Sequence, residues 1–331
     1  MSNEIETLFG KILNSRRLFY ASLELTFNCN FACKFCYNPI EREGQERKKN
    51  VLENEKPLAK DEIFDLLKQL RECGVLYFTL TGGEPLVHPH FWEIARKCKE
   101  LAFVLRIFSN GALIGEKEVK KLSELCPNCL EISLYGASEK SYENSCGRGD
   151  SFNKVIKALN LLKKGGINVY LKCMLTSATE NEMDKIQDIA DNLGFPLNWD
   201  PHLEISDDGE DYPLKMRASK KAIERLYNES KFKVGSSPFE GGERISTCNI
   251  GKNLIHIDPY GNVFPCVEWR ESIGNVKRDK IKDLWENSEK LFYLMKLSKD
   301  SVKEMGKTNF FCIAREIRKK QNSSIKFKSE D

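Results

Sequence analysis

Cys29, Cys33 and Cys36 form a Cys-x3-Cys-x2-Cys run near the start of the chain. Three thiolates in one short loop can hold three irons of a four-iron cluster and leave the fourth iron open to a substrate or cofactor. A zinc knuckle and a set of buried thiols are the other readings of these residues. Zinc sites more often use two-residue spacings at both ends and need a fourth protein ligand, so the spacing favours the cluster.

A second segment bears on the same chemistry. Thr81-Gly82-Gly83-Glu84-Pro85 follows the apolar run 76–80, where a second strand ends. Two glycines let the backbone approach a ligand closely, and a glutamate accepts from a cationic amine. In this order, with a helical segment between them, the two motifs resemble the signature of the radical S-adenosylmethionine (SAM) enzymes. The resemblance implies a four-iron cluster on Cys29, Cys33 and Cys36 whose open iron takes the amino and carboxylate groups of SAM. It also implies that Gly82, Gly83 and Glu84 bind the SAM ammonium. Ser109 and Asn110, in Phe108-Ser109-Asn110-Gly111, and Ser133, in Ile132-Ser133-Leu134-Tyr135-Gly136, are similar to strand-end segments that contact the SAM carboxylate and ribose. Phe35 matches the aromatic beside the adenine, the backbone of Tyr37 the contact to the base edge, and Arg148 a basic residue that meets the carboxylate. Around Arg148 the spacing departs from the family pattern, and a solvated loop arginine is the other reading.

These motifs need strands to carry them. Strand-like segments at 22–27, 76–80, 104–108, 130–134, 168–174 and 197–202 alternate with amphipathic stretches such as 59–72 and 152–164, whose apolar residues fall at three- and four-residue steps. The second stretch has Asp150 or Ser151 as its N-cap and Gly165-Gly166 as its stop. Six such units predict an α/β fold, a partial six-stranded (β/α)6 barrel like a cut-open TIM barrel, with right-handed crossovers. Every motif then sits at the C-terminal end of a strand, where parallel barrels place their active sites. The expected divisions are an extension at 1–20, the barrel at 21–205, a linker at 206–245, a small α+β domain at 246–321 and a polar tail at 322–331. The charge run 41–50 reads as a solvated segment or a flap near the site.

The C-terminal third carries a second set of thiols. Cys248 precedes a hairpin, 254–257 and 263–264 about the turn 258–262; Cys266 ends the returning strand, and Cys312 opens a helical segment. Cys248-x12-Gly261-x4-Cys266, followed by Ile273-Gly274-Asn275 and a helix around Trp285, resembles the auxiliary-cluster domains called SPASM and Twitch. That resemblance implies an auxiliary [4Fe-4S] cluster on Cys248, Cys266 and Cys312. The later Cys-x2-Cys of full SPASM domains is missing here, which fits one auxiliary cluster of the Twitch type. The fourth ligand is then open or non-cysteine. Three separate buried cysteines are the alternative.

Among the other cysteines, Cys126 and Cys129 join a helix end to the fourth strand and read as structural, and Cys73, Cys98 and Cys173 as core. Cys146 follows the Ser133 strand and is a candidate hydrogen donor. Of the four histidines, His202, at the end of the sixth strand, is the one placed for a cavity.

Composition narrows the class. The 331 residues carry 52 basic and 49 acidic side chains, a balance that gives no reason to expect nucleic acid or an anionic membrane as partner. The charged first twenty residues give no export signal, and twelve cysteines without one indicate a reducing, cytoplasmic setting rather than a disulfide framework. Auxiliary domains of this kind occur mainly in enzymes that modify peptides. The resemblance therefore implies a maturase that cleaves SAM to a 5′-deoxyadenosyl radical and abstracts hydrogen from a ribosomally made peptide. Thioether or carbon–carbon cross-linking, epimerisation and residue oxidation all remain open. A reductant such as flavodoxin or ferredoxin is expected. So is a separate leader-binding protein, or recognition by the barrel itself, since twenty residues before the first strand cannot build a leader-binding domain. Sulfatase-maturing relatives place an Asp where Val267 stands, which disfavours that subgroup. The alternatives are a radical SAM dehydrogenase or tetrapyrrole-modifying enzyme acting on a small molecule, and a non-catalytic iron–sulfur carrier or sensor.

Overall fold

The computed structural model describes residues 16–38, 56–207, 209–234 and 250–305, with side chains to 298. Contacts divide the chain into two units: 23–57 with 78–239, and 1–22 with 58–77 and 240–331.

The first unit is built on parallel strands in the order β6-β5-β4-β3-β2-β1: β1 (Tyr20–Glu24), β2 (Tyr77–Thr81), β3 (Val104–Ser109), β4 (Cys129–Ser133), β5 (Val169–Met174) and β6 (Leu197–Asp200). The parallel register aligns Phe108 with Glu131, Ser133 with Lys172, and Met174 with Asp200. Alternation along the strands explains which residues do what. In β5, Val169, Leu171 and Cys173 are buried, whereas Tyr170, Lys172 and Met174 are partly exposed. Successive side chains point to opposite faces, so one face is the helix-packed core and the other is the open face. Crossover helices cover the core face. In α5 (Ser151–Lys164) the buried residues Val155, Ala158, Leu159 and Leu162 recur at three- and four-residue steps. Two boundaries differ from the sequence reading. β1 stops at Glu24 because residues 25–28 turn to bond the segment after β2, and Asp150 caps α5 only by position, its carboxylate pairing with Lys154 instead.

The second unit contains the hairpin β7 (Leu254–Ile257) and β8 (Asn262–Phe264), the short β9 (Gly274–Asn275), and helices α8 (Ile281–Asn287) and α9 (Glu289–Met305). The hairpin is antiparallel, with His256 opposite Phe264. Its turn is fixed by Asp258, whose Oδ1 accepts from the amides of Tyr260 and Asn262 at 2.9 Å each. Gly261 closes the turn at φ +88°, and a Cβ there would meet Val276 at 2.9 Å and Leu58 at 3.2 Å. Helix α1 (Lys60–Glu72) belongs to this unit, and its Gln69 side chain accepts from the Ile281 amide that starts α8. Replacing Gly261 by Val is expected to destabilise this unit by about 1–3 kcal/mol. Chemical denaturation read on the near-ultraviolet signal of the unit's tryptophans would check it, and an unchanged midpoint would contradict the strained-turn account.

Candidate functional site

The loop 25–38 carries the three thiols, and it is held at both ends. At its start, Leu25 N donates to Thr81 O at 2.9 Å, Gly83 N to Thr26 O at 2.7 Å, and Glu84 N to Asn28 O at 2.9 Å. The glycines of the motif are required by this grip. A Cβ on Gly82 would lie 2.4 Å from Thr26 O, and one on Gly83 2.4 Å from Asn28 O. In the middle, Ala32 N and Lys34 N donate to the carbonyls of Cys146 and Ser145 at the end of α4 (Glu139–Cys146). At the exit, Tyr212 Oη donates to Cys36 O at 2.9 Å, while Ser206 Oγ and Asp207 N both donate to Tyr37 O.

The donor set fits an iron–sulfur cluster. Cys29, Cys33 and Cys36 form no disulfide. Burial pushes the Cys29 thiol up to about 11 and the Cys36 thiol to about 12, and holds Cys33 well above the thiol range; nearby thiolates of the same loop push all but Cys29 further up. Burial and neighbouring negative charge disfavour the thiolate forms, and positive charge such as iron would supply relieves both. The Phe31 amide donates to Cys29 Sγ at 3.4 Å, and Asn110 Nδ2 approaches the same sulfur at 3.8 Å.

Several residues expected at the SAM site are engaged in bracing it. Glu84 is fully buried. Its carboxylate accepts from Ser109 Oγ at 3.0 Å, Leu86 N at 3.1 Å and Asn110 N at 2.7 Å. Burial raises its pKa to about 7 against the lowering effect of those donors. Asn110 Nδ2 donates to Asn30 Oδ1 at 2.7 Å. Ser109 and Asn110 therefore tie the end of β3 to both motifs. The Tyr37 carbonyl, expected at a base edge, already accepts two bonds. Phe35 and Ser133 are partly exposed, and Arg148 is exposed in the loop before α5. Phe35 lies against Tyr135, ring centroids 6.0 Å apart. Cys146, the candidate hydrogen donor, is fully buried, and its thiol donates to Tyr142 O at 3.2 Å. Cys126 is exposed and Cys129 buried, as a helix-to-strand joint requires. In the second unit Cys266 is a free thiol in the described hairpin; Cys248 and Cys312 lie outside the described residues, as does the charge run 41–50.

Five further residues form two charged groups on the strands and at their ends. Arg106 on β3 pairs with Glu131 on β4 at 2.8 Å. On β5 and β6, Lys172 pairs with Asp200 at 3.2 Å, and His202 Nδ1 lies 3.2 Å from the other Asp200 oxygen. Burial raises the Asp200 pKa, but the His202 and Lys172 interactions outweigh it and hold the carboxyl below its ordinary range. Single charged residues at alternate positions of otherwise apolar strands, Arg106, Glu131 and Lys172, were the signal for this face. Among the described residues no helix is long and apolar enough to cross a membrane.

A radical SAM superfamily model matches residues 23–191, about half the chain, and an iron–sulfur cluster-binding SPASM model matches 248–307. This chain belongs to the radical SAM superfamily. It is 28% identical over 287 residues to the antilisterial bacteriocin subtilosin biosynthesis protein AlbA of Bacillus subtilis, covering 81% of this chain and 59% of that protein. It is 25% identical to the mycofactocin maturase MftC of Mycolicibacterium smegmatis, covering 80% and 69%. The chain thus spans about three fifths of the first relative's length and about two thirds of the second's. Its fold is shared with Streptococcus suis SuiB bound to S-adenosylmethionine, at TM-score 0.66 and 16% identity over 87% of this chain and 70% of that one. It is also shared with anSMEcpe with bound AdoMet, at TM-score 0.60 and 19% identity over 85% and 83%. [4Fe-4S] clusters and SAM are the cofactors that these domains imply.

The Asp200 geometry sets a pH dependence. A carboxyl lowered in the folded state contributes stability that is present above its unfolded pKa and lost as pH falls through the folded value. The wild type is expected to lose this contribution on acidification below roughly pH 4, and Asp200→Asn to lack that component. Denaturation midpoints across the acid range would check it; parallel pH profiles for the two proteins would contradict it.

Proposed function

We propose that this protein is a radical SAM maturase that abstracts hydrogen from a ribosomally made peptide. The observation that carries the reading is the three-thiol loop gripped by the Gly-Gly-Glu segment at the ends of parallel strands. The similarity to AlbA, a bacteriocin biosynthesis protein, and to MftC, a mycofactocin maturase, supports the substrate class.

When bound, the SAM cluster supplies the electron that cleaves SAM to a 5′-deoxyadenosyl radical. The protein's residues do the rest by position. Cys29, Cys33 and Cys36 hold the cluster, and Asn110 and the Phe31 amide donate toward Cys29 Sγ. Phe35 and Ser133 offer partly exposed groups for the adenine and the polar part of SAM, and Arg148 a cation for its carboxylate. Glu84 acts mainly through its bonds to Ser109 and Asn110, which fix the second and third strand ends relative to the loop. Lys172 and His202 around Asp200 present charge to a peptide lying across the strand ends, while the nearly buried pair of Arg106 with Glu131 braces the sheet. Holding the target carbon close to the nascent radical, away from water, sets the selectivity.

Cys266 is one ligand of a second cluster, with Cys248 and Cys312 as the partners that the resemblance to auxiliary-cluster domains implies. A low-potential flavodoxin or ferredoxin supplies the electron, and a separate protein or the barrel reads any leader. All ten described cysteines are free, which supports a reducing, cytoplasmic setting.

A second reading has its own observation. The AdoMet-dependent heme synthase of Methanosarcina barkeri is 24% identical over 80% of this chain and 81% of that protein, which favours a small-molecule substrate. Anaerobically reconstituted protein is expected to form 5′-deoxyadenosine from SAM and a reductant, and Cys33→Ala to abolish it. Mass loss or gain on a peptide encoded beside the gene would support the maturase. Deoxyadenosine formation stimulated by a porphyrin precursor, and by no such peptide, would support the second reading instead.

A further inference from the structure

Cys266 lies in a tight turn, Cys266-Val267-Glu268-Trp269, where Cys266 and Trp269 form an antiparallel bridge and Trp269 N donates to Cys266 O at 3.3 Å. Residues paired in this way carry their side chains on the same face, with Cβ atoms roughly 4.5–5.5 Å apart. The Trp269 side chain is 2% exposed, and its Nε1 is buried without a hydrogen-bond partner among the described residues. An indole nitrogen is a donor only. Leaving it buried and unpaired opposes folding, and such a group in a native fold calls for an acceptor that the described residues do not supply.

We propose that Trp269 Nε1–H donates a hydrogen bond to a sulfur of the cluster held through Cys266, and so sets that cluster's reduction potential. The inference rests on the reading of Cys266 as a cluster ligand. Anionic cluster sulfur accepts hydrogen bonds, and such bonds raise the potential by favouring the more negative, reduced state. The neighbouring thiolate supplies the site, the shared face brings the donor to it, and burial keeps water from competing for the N–H. Val267, exposed at the turn's tip, and Glu268 offer no comparable buried donor.

The test compares wild type, Trp269→Phe and Cys266→Ala, each reconstituted anaerobically. Iron is counted and the two clusters are titrated by EPR. About eight irons in wild type and Trp269→Phe, with one potential falling and the SAM cluster's unmoved, is the expected result. The fall should be about tenfold in the reduction equilibrium, about 59 mV for one electron. Unmoved potentials at full iron content would overturn the proposal. About four irons in wild type and in Cys266→Ala alike would remove the second cluster itself, and the proposal with it. Should Trp269→Phe lose iron, wild type carrying 15N-indole tryptophan decides: pulsed EPR of the reduced second cluster should detect coupling to one indole nitrogen, and its absence would overturn the assignment.

Discussion

The grip of the segment after β2 on the segment after β1 is the constraint on which the site depends. Three backbone bonds, from Leu25 to Thr81, Gly83 to Thr26 and Glu84 to Asn28, hold the start of the thiol loop. They form only because the two chain segments touch, and Gly82 and Gly83 leave no room there for a Cβ. The grip has a polar extension. Glu84, fixed by this contact, takes the Ser109 hydroxyl and the Asn110 amide, and Asn110 reaches on to Asn30 and Cys29. One buried carboxylate thus couples three strand ends to a cluster ligand. Such a network is favourable only when each member is satisfied, so the loop's geometry is set as a unit.

The same economy governs the open face. Strands buried on one side by crossover helices have their alternate positions available for chemistry, and here those positions hold opposite charges in pairs across neighbouring strands. Arg106 with Glu131 is nearly buried, at 14% exposure for each side chain, whereas Lys172 and His202 around Asp200 remain about 40% open. The inner pair therefore braces the sheet, and the outer group is placed to meet a polar substrate. A desolvated pair is costly unless well bonded, which makes the outer, wetter group the better candidate for binding.

Much of this was legible in the sequence. The Cys-x3-Cys-x2-Cys run, the Gly-Gly-Glu segment and the six alternating strand and helix units each follow from local spacing, and the hairpin at Asp258 to Asn262 follows from its turn residues. What spacing does not encode is the partner. The Gly-Gly-Glu spacing puts Glu84 beside a ligand, but does not tell that its carboxylate also takes the Ser109 hydroxyl and the Asn110 amide. Nor does the sequence tell that the Cys146 thiol lies against Tyr142 O, one helical turn earlier. Lys172 and Asp200 are 28 positions apart in the chain, and only the parallel register of β5 and β6 brings them together.

The central claim is that the thiol loop holds a four-iron cluster with an iron open to SAM. EPR of the dithionite-reduced, reconstituted protein tests it most directly, in a Cys248→Ala, Cys266→Ala, Cys312→Ala background so that one cluster remains. A reduced-cluster signal whose shape changes when SAM is added is the result this account requires. A signal indifferent to SAM, or no cluster in that background, would contradict it.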